Sequence, residues 1–493
     1  AYNPVAATAR RFSRIEFSIV YRLKTSPLAA ATLSDSIMDA TALALAANPK
    51  DAAAWYATPW TMDEKPFLGV GYLIMTTDRI YTNSPTLYGL VPHKQMMGYT
   101  VSVVTETGVD GNSAATGWNE VTGQSPDGKA DRMREWLQMH VSNWHIQYVL
   151  LIGDPTPDTG DLPMKICYPE RTESTVATDW YYSDLSGNWN PNGDAYYGNW
   201  SGDYPYGSID FLAEAIVGRI PVYNQAHWQG ILRRIILKTI AYERDMYPSW
   251  RKRALFGETF LDDVTDTAYL SETLKSRVLN AEGFVSHTMY EQGGLSSYSG
   301  VTNRNSIFDS DEEVMHESVK NNWSSNFYGL VEMSCHGSSR GMGFSAGNLF
   351  VSWNCAALND AMPALVFNLA CSTGYPEDNE NCGYSLLKNG AIASLAATRM
   401  TYYYVGTQEP QMSGASDPAM AYHFCSRAAS NHVTFGEANI AIGEIMELYN
   451  AGDWNNVMSC NVYGDPSLAL RPVLPDDSDG DGMPDAWETT QSL

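Results

Sequence analysis

A histidine and a cysteine occupy equivalent positions after two apolar stretches of the sequence. His336 follows the run at residues 328–333 and precedes Gly337, and Cys371 follows the run at residues 364–370. If the two runs are neighbouring parallel strands, both side chains lie at the carboxyl edge of one sheet, and their separation of 35 positions suffices for a crossover connection. A nearby imidazole favours the thiolate form of a cysteine, which is its nucleophilic form. The pattern therefore predicts that Cys371 acts as a nucleophile and His336 as its base.

Each of these residues alone is more typical of a structural role, and only their matched positions favour catalysis. Cys335 adjoins the histidine, but on an extended strand its side chain points to the opposite face, so we expect it in the core or in a disulfide. Gly337 would let a substrate backbone approach closely. Amides near Gly337 and Cys371 are candidates for stabilising a tetrahedral oxyanion.

The elements that must position this pair alternate between strand and helix. Apolar or β-branched runs predict strands, and apolar residues at helical spacing predict the connecting helices. In the first half, these are strands 69–77, 99–105 and 147–154 and helices 91–97, with Pro92 near its start, and 130–143. In the second half, they are strands 253–259, 327–337, 363–374 and 390–398 and helices 266–280, 416–430 and 436–450. This alternation favours an α/β fold with a mainly parallel sheet covered by helices.

Length and changes in composition indicate several domains, since 493 residues exceed one ordinary core. We expect an N-terminal extension or pro-segment at 1–65 and two α/β subdomains at 66–225 and 226–472. An acidic tail or linker follows at 473–493.

Charge and hydropathy exclude some classes of partner. The formal net charge of −25 argues against nucleic acid, because phosphate binding needs a positive surface. No stretch approaches the roughly 20 apolar residues of a membrane span. The first 25 residues lack the apolar run of a signal peptide, so we expect a mature or trimmed form. Seven cysteines contain no CxxC pair, which disfavours zinc, and their odd number leaves at least one thiol unpaired.

Ordered motifs around the pair resemble those of a peptidase family. SCHGSS at 334–339 and FNLACSTG at 367–374 are similar to the His-Gly and Ala-Cys motifs of the caspase-like peptidase clan. YVLLIGD at 148–154, AIVGRIPV at 215–222 and VYGDPSLAL at 462–470 resemble landmarks of the gingipain family in the same order. The resemblance covers roughly residues 67–472. It implies a cysteine peptidase with two caspase-like α/β/α sandwich subdomains and mainly parallel sheets.

The same resemblance implies further site residues. Gingipains orient the catalytic histidine with an acidic residue after the strand that opens the second subdomain, a place taken here by Glu258 or, second, Asp262. In arginine-specific gingipains an acidic residue in the following helix region lines the S1 pocket, and Asp266 lies at about that place. Tyr403 is the candidate for an aromatic wall of the pocket. The alternatives are ordinary surface carboxylates and, for Asp266, a helix N-cap.

Two segments carry oxygen-bearing side chains at the alternating positions typical of calcium loops. In the tail, Glu488 is the twelfth residue counted from Asp477 and Gly482 is the sixth, as in an EF-hand loop, and the segment resembles a thrombospondin type 3 repeat. The segment at 184–197 is the weaker candidate, because Asn stands at three of its positions and a turn cluster is the alternative. The candidate Ca²⁺ ligands are Asp477, Asp479, Asp481, Asp485 and Glu488 in the tail and Asp184, Asn188, Asn190, Asn192 and Asp194 in the loop.

The expected function is that of a secreted or cell-surface cysteine endopeptidase that acts on proteins or peptides, with basic P1 residues as the finer expectation. Self-processing at basic sites between Arg10 and Lys24 would then remove a pro-segment. One alternative is a legumain-like peptidase of the same clan that cleaves after Asn. The other is a non-catalytic, calcium-dependent surface or adhesion module on a peptidase fold.

Overall fold

The computed structural model describes residues 2–3, 8–9, 70–110, 116–120, 128–170, 174–245, 249–292, 304–344, 347–429, 433–445 and 448–470. Two units are distinguished, residues 1–33 and 34–493. In the first, strands β1 (Tyr2–Asn3) and β2 (Thr8–Ala9) pair antiparallel. Most of the predicted pro-segment and all of the acidic tail, with its five calcium candidates, lie outside the described residues.

An eleven-stranded sheet forms the centre of the second unit. Its strands are β3 (Gly71–Met75), β4 (Thr100–Val104), β5 (Ile146–Gly153), β8 (Ile216–Pro221), β9 (Arg253–Glu258), β10 (Val285–Tyr290), β11 (Glu312–Glu313), β12 (Leu330–Ser334), β16 (Ala364–Leu369), β17 (Ala391–Ala397) and β18 (Cys460–Gly464). Two small sheets contain β6 (Lys165–Cys167) with β7 (Val176–Thr178), and β13 (His336–Ser338), β14 (Gly341–Phe344) and β15 (Gly347–Val351).

The large sheet consists of two parallel blocks that run in opposite directions. Its strand order is β11-β10-β9-β12-β16-β17-β18-β8-β5-β3-β4. Neighbours pair parallel at every junction except that between β17 and β18, which is antiparallel. The predicted α/β fold with a mainly parallel sheet is confirmed. The strands of this sheet that precede residue 225 all lie in one block, and β18, from the far end of the described chain, joins them there.

Helices connect the strands and pack against the sheet. They are α1 (Asp78–Asn83), α2 (Leu87–Met96), α3 (Lys129–His140), α4 (Trp180–Ser183), α5 (Tyr204–Gly207), α6 (Trp228–Glu243), α7 (Ala268–Leu274), α8 (Ser318–Ser325), α9 (Cys382–Lys388), α10 (Asp417–Ala429), α11 (Phe435–Ile445) and α12 (Ala451–Ser459), with a π-helical turn at Lys275–Leu279 and 3₁₀ turns at Ser249–Lys252, Ser352–Ala357 and Pro410–Met412. Among the described residues no helix has both the length and the hydropathy of a membrane-spanning segment.

One helix start was predicted wrongly. Helix α2 begins at Leu87, four residues before the predicted start, so Pro92 lies inside it. Proline removes a backbone donor, which makes an interior position costly and made the later start the better prediction from local sequence. Tertiary contacts outweigh that cost here, since Leu87 and Leu90 in the first turn are each only 1% exposed.

Buried ion pairs hold the block that contains β5, β8 and β18. Arg219 on β8 is fully buried and binds Asp179 with an N–O distance of 2.6 Å. Lys94 on α2 is also fully buried and lies 2.9 Å from Asp465, just after β18, and 2.6 Å from Glu243. The three landmark motifs of the sequence thus belong to three adjacent strands, and Arg219 and Asp465 of two of these motifs have charged partners.

Candidate active site

His336 and Cys371 lie at the ends of two paired strands. β12 and β16 pair parallel from Leu330 with Leu365 to Ser334 with Leu369. His336 is the second residue after β12 and Cys371 the second after β16. Both line a cavity of about 440 Å³, together with Gly337 and residues 400–403. The structure therefore brings the predicted pair together at the predicted edge.

The strand predicted at 327–337 is interrupted before the histidine. The pairing of β12 ends at Ser334, and His336 begins β13, which pairs antiparallel with β14 in a separate three-stranded sheet. The prediction of one continuous strand was wrong here, because the chain bends at Cys335 and its hydrogen-bond partners change there. The exposed His336 is thereby carried beyond the main sheet, into the cavity wall.

Gly337 is in direct backbone contact with the cysteine segment. A Cβ at this position would lie 2.4 Å from the Cys371 carbonyl oxygen and 2.7 Å from the Cys371 nitrogen. Real side chains do not tolerate such distances, so only glycine permits this approach. Immediately after the cysteine, Ser372 adopts a left-handed φ of 59°, and its N–H donates to the Arg399 carbonyl at 2.8 Å. Strained backbone of this kind clusters at functional sites.

The thiol of Cys371 contacts Thr401, in the segment that follows β17. The Thr401 N–H donates to Sγ at 3.5 Å, and Sγ lies 3.7 Å from the Thr401 carbonyl oxygen. The Thr401 hydroxyl, 3.8 Å from Sγ, donates to Asp417 Oδ2 at 2.5 Å. Burial and, after it, the charge of Asp417 raise the pKa of the Cys371 thiol. In the free protein the thiol is therefore mainly protonated near neutral pH.

The imidazole of His336 contacts a backbone carbonyl. Its Nε2 lies 2.8 Å from the Leu261 oxygen. A carbonyl can only accept a hydrogen bond, so Nε2 must be the donor. In a neutral imidazole Nδ1 then carries the lone pair, which is the form a general base requires. The Tyr403 hydroxyl donates to the same oxygen at 3.3 Å.

Neither predicted acid is hydrogen-bonded to His336 among the described contacts. Asp262 follows Leu261 and accepts hydrogen bonds at 2.8 Å from the N–H groups of Val264 and Thr265. Burial raises its pKa, but these bonds outweigh burial and lower it overall. Asp262 thus shapes the turn that presents the Leu261 carbonyl. The catalytic role predicted for Asp262 stays a prediction.

Glu258, the first candidate for orienting the histidine, is fully buried in β9 beneath the site. It faces the equally buried Glu332 of β12, so burial and then repulsion by Glu332 raise its pKa well above the usual range. Burial raises the pKa of Glu332 to about 7. Two carboxyl groups in such a site share a proton. Glu258 does not belong to the cavity lining, and its catalytic role stays a prediction.

Of the two predicted substrate-binding side chains, Tyr403 lines the cavity and Asp266 does not. Asp266 accepts from the Ala268 N–H at 3.0 Å, at the start of α7, and from the Ser306 hydroxyl at 2.6 Å. Asp266 therefore lies at the helix start, as the alternative expected, but the N-cap residue itself is Thr267. The carboxyl group that does line the cavity belongs to Asp417, the first residue of α10.

Three contributors to the site escaped the sequence analysis. Leu261 acts through its backbone, for which no residue type gives a signal. Thr401 and Asp417 follow β17, the strand beside β16 in the same parallel block. In parallel sheets, functional residues often lie at the carboxyl ends of the strands. This rule, applied to β17, would have predicted that the segment after it belongs to the site.

Asparagines of α12 hold the segment that contains Thr401. Asn455 donates to the Met400 carbonyl at 2.7 Å. The fully buried Asn456 accepts from the Tyr402 N–H at 2.8 Å and donates to the Tyr402 carbonyl at 2.7 Å. Both neighbours of Thr401 are therefore fixed through their backbone atoms, which keeps its position against the thiol.

The cysteines are unpaired, and Cys335 differs from Cys371 in burial. All seven cysteines are free. Cys335 is 3% exposed and packs in a core cluster with Val331, Met333 and Met342, so the core position predicted for it is confirmed. Burial raises the pKa of its thiol well above the usual range. Cys371 alone among the seven is only half-buried.

The loop predicted as a second calcium site uses its oxygens in turns. Asn188 Oδ1 accepts from the Asn190 N–H at 3.0 Å, and Asn192 Oδ1 accepts from the Asp194 N–H at 2.9 Å. Asp184 is fully buried and accepts from the Gly187 N–H at 2.8 Å. Within the described ranges no three His, Cys, Asp or Glu side chains form a metal-binding group. This geometry fits the turn alternative better than a calcium site.

Comparisons with known proteins give the family and the fold of this chain. The model of peptidase family C25 matches residues 65–471. Curated protein sequences give no significant match. Among solved structures, the Arg-specific cysteine proteinase gingipain R is similar at 17% identity and a TM-score of 0.56, over 84% of this chain and 80% of that one. The complex of the pro- and mature domains of RgpB from Porphyromonas gingivalis is similar at 18% identity and 0.55, over 82% and 80%. A structure described as a protease follows at 14% and 0.53, over 81% and 78%.

These structural likenesses support the caspase-like gingipain fold, and the family match extends over nearly the whole described body. The chain therefore belongs to peptidase family C25, the gingipain family, and is a cysteine peptidase.

Proposed function

We propose that the protein is a secreted endopeptidase that cleaves after basic residues and uses Cys371 and His336 for catalysis. The observation that carries this proposal is the shared cavity at the carboxyl ends of β12 and β16, lined by both side chains. In the proposed reaction, Nδ1 of His336 takes the thiol proton, and Cys371 Sγ attacks the scissile carbonyl carbon. The imidazolium then returns the proton to the leaving amine, and water hydrolyses the thioester. In this proposal, backbone amides near Gly337 and Cys371 are the donors that stabilise the oxyanion.

Substitution of the pair tests the catalytic assignment. We expect Cys371→Ala and His336→Ala each to lower kcat/KM on peptide substrates by roughly 10³-fold or more. Cys335→Ala is the matched control, because that thiol adjoins the histidine but packs in the core. Full activity in Cys371→Ala, or complete loss in a folded Cys335→Ala, would overturn the assignment.

The basic P1 preference is supported by the charge of the cavity. Asp417 is the acidic side chain in the described lining, and a carboxylate pairs well with a guanidinium or ammonium group. Fluorogenic peptides that differ only at P1, with Arg, Lys or Asn, measure the preference. We expect Arg or Lys to be cleaved fastest, and Asp417→Asn to reduce that advantage more than Asp266→Asn. Fastest cleavage after Asn would instead favour the legumain-like alternative.

Secretion and self-processing belong to the same proposal. The unpaired cysteines give no support to an oxidising compartment, so secretion rests on the family resemblance and the acidic surface. A basic P1 preference would make the sites from Arg10 to Lys24 candidates for self-cleavage. Mass spectrometry of the N-terminus compares wild type with Cys371→Ala. Identical termini would exclude self-processing.

A further inference from the structure

The cavity of the candidate active site contains an acidic group that reaches the nucleophile through one intervening residue. Asp417 Oδ2 accepts a hydrogen bond from the Thr401 hydroxyl at 2.5 Å. That hydroxyl lies 3.8 Å from Cys371 Sγ, and the Thr401 N–H donates to the same sulfur at 3.5 Å. One residue therefore connects the carboxyl group to the thiol.

Thr401 and Asp417 have opposite effects on the charge state of the sulfur. An N–H that donates to sulfur stabilises the thiolate, whereas a nearby negative charge destabilises it. Asp417 is itself buried, which raises its pKa to about 7, so near neutrality it is partly ionised. Its charge depends on what lies in the cavity, since it lines the same cavity as the thiol.

We propose that the charge of Asp417 adds to burial in keeping Cys371 a neutral thiol in the free enzyme, and that a cationic substrate side chain bound against Asp417 lets Nδ1 of His336 take the thiol proton. Recognition of the substrate and activation of the nucleophile are thereby coupled. Asp417 is a positioning and specificity residue in this scheme, acting on the sulfur through its charge and through Thr401. The inference rests on the basic P1 preference of the proposed function.

The other titratable groups near Cys371 do not replace Asp417 in this role. They are His336 from β13, Cys335 before it, and Tyr402 and Tyr403 from the segment after β17. Burial raises the pKa of Cys335 and of both tyrosines, so these three groups are neutral near pH 7. His336 contributes either no charge or a positive one. Among these groups, Asp417 is the one that contributes negative charge.

Alkylation of Cys371 by iodoacetamide, followed by mass spectrometry of its peptide across pH 5–9, measures thiolate formation without any need for peptide cleavage. A neighbouring charge shifts a thiol pKa by up to about one unit, so we expect Asp417→Asn to be alkylated roughly 3- to 10-fold faster than wild type at pH 8–9, where Asp417 is mostly ionised, and at most about 2-fold faster near pH 7. The wild-type profile should be shallower than a single ionisation, because Asp417 gains charge over the same range. The Asp417→Asn profile should fit one ionisation.

A second measurement uses the wild-type protein and so does not depend on the folding of a variant. The n-butylammonium ion serves as a small cationic probe, and n-butanol is its neutral control. We expect butylammonium to accelerate alkylation of wild type severalfold and to leave Asp417→Asn unchanged, while butanol accelerates neither. Equal alkylation profiles for wild type and Asp417→Asn would overturn the inference. The inference would also be overturned if butylammonium competed with a basic substrate for binding but did not accelerate alkylation.

The two proposals fail in different ways. If wild type cleaves Arg or Lys peptides and the alkylation profiles are equal, the proposed function stands and the coupling is wrong. If no basic peptide is cleaved, the proposed specificity is wrong and the coupling falls with it.

Discussion

The two parallel blocks of the sheet contain buried carboxyl groups in opposite electrostatic situations. In the block with β5, β8 and β18, Asp179 is bound by Arg219, and Asp465 by Lys94. In the block with β9, β12 and β16, the buried Glu258 and Glu332 face each other, and the buried Asp417 contacts a hydroxyl group.

This difference distinguishes carboxylates that stabilise the fold from carboxyl groups that lie close to the candidate active site. A buried carboxylate with a cationic partner stays ionised, and it holds the chain in place as long as that partner remains. A buried carboxyl group without one has a raised pKa and changes charge near neutral pH. The first arrangement suits a rigid frame. The second occurs at and below the candidate active site, where changes of charge can be used.

The largest expected effect follows from removing a partner in the scaffold block. Arg219→Met leaves Asp179 buried without its cation, so we expect a loss of about 3–5 kcal/mol in the free energy of unfolding. Urea or guanidinium denaturation measures the loss. Arg340→Met is the control, because Arg340 is 51% exposed where it pairs with Asp378, and such surface pairs contribute at most about 1 kcal/mol. If the two variants lost equal free energy of unfolding, the buried pair of Arg219 with Asp179 would not have the stabilising role described for its block.

Next in size is the effect of a methyl group at the contact between the two catalytic segments. Gly337→Ala places a Cβ 2.4 Å from the Cys371 carbonyl oxygen, so the segments must separate. Displacement by about 1 Å lowers activity roughly 10²-fold, and we expect that loss in kcat/KM. Gly341→Ala in the same small sheet is the control, since its nearest contact would be an ordinary 3.4 Å to Val351. Unchanged kinetics in Gly337→Ala would contradict the described contact.

A smaller effect concerns the carboxyl pair below the site. The folded pKa of Glu332, about 7 because of burial, exceeds the value of about 4.3 expected in the unfolded chain. The native state therefore retains a proton that the unfolded state loses, so stability falls as the pH rises from about 4 to about 7. Glu332→Gln removes this titration. We expect its stability relative to wild type to increase between pH 5 and pH 8 by about 1–3 kcal/mol.

Thermal unfolding across that pH range measures the effect of Glu332→Gln. The exposed Glu409→Gln should follow the wild-type pH dependence and serves as the control. If Glu332→Gln showed the same pH dependence of unfolding as wild type, Glu332 would have to be ionised in the native protein, with a nearby positive charge that stabilises it.

The smallest expected effect concerns calcium. The acidic tail keeps the twelve-residue pattern of a calcium loop, whereas the oxygens of Asn188 and Asn192 are used in turns. Isothermal titration should detect Ca²⁺ binding to the full chain, with a Kd of about 10⁻⁴–10⁻³ M as in extracellular modules. A chain that ends at residue 472 should lose this binding, and Asp194→Asn should not. Binding of Ca²⁺ that persists without the tail would instead favour the loop at 184–197 as the calcium site.

Prediction from sequence succeeded where short-range pattern is sufficient. Strands such as β5 and β16 are continuous apolar runs because both of their faces are buried, and such runs are visible in a single stretch of residues. The pairing of His336 with Cys371 followed from two such runs and the rule that parallel strands present their carboxyl ends at one edge. The ordered motifs then identified the family from residues alone.

Other features depend on contacts between residues that are distant in the sequence. The opposite directions of the two blocks, the position of β18 beside β8, and the interior position of Pro92 are decided by packing, which can outweigh local preference.

The sequence by itself determined most of the strands, the placement of His336 and Cys371 after two of them, and the family, because these depend on residue type and spacing. Only the tertiary structure decided that a backbone carbonyl contacts the histidine, that Asp266 binds the Ala268 N–H and the Ser306 hydroxyl, and that Asp417 lines the cavity. The reason is physical: hydrogen bonds and electric fields depend on distances in space, and turns bring together groups such as Leu261 and His336 that lie 75 positions apart.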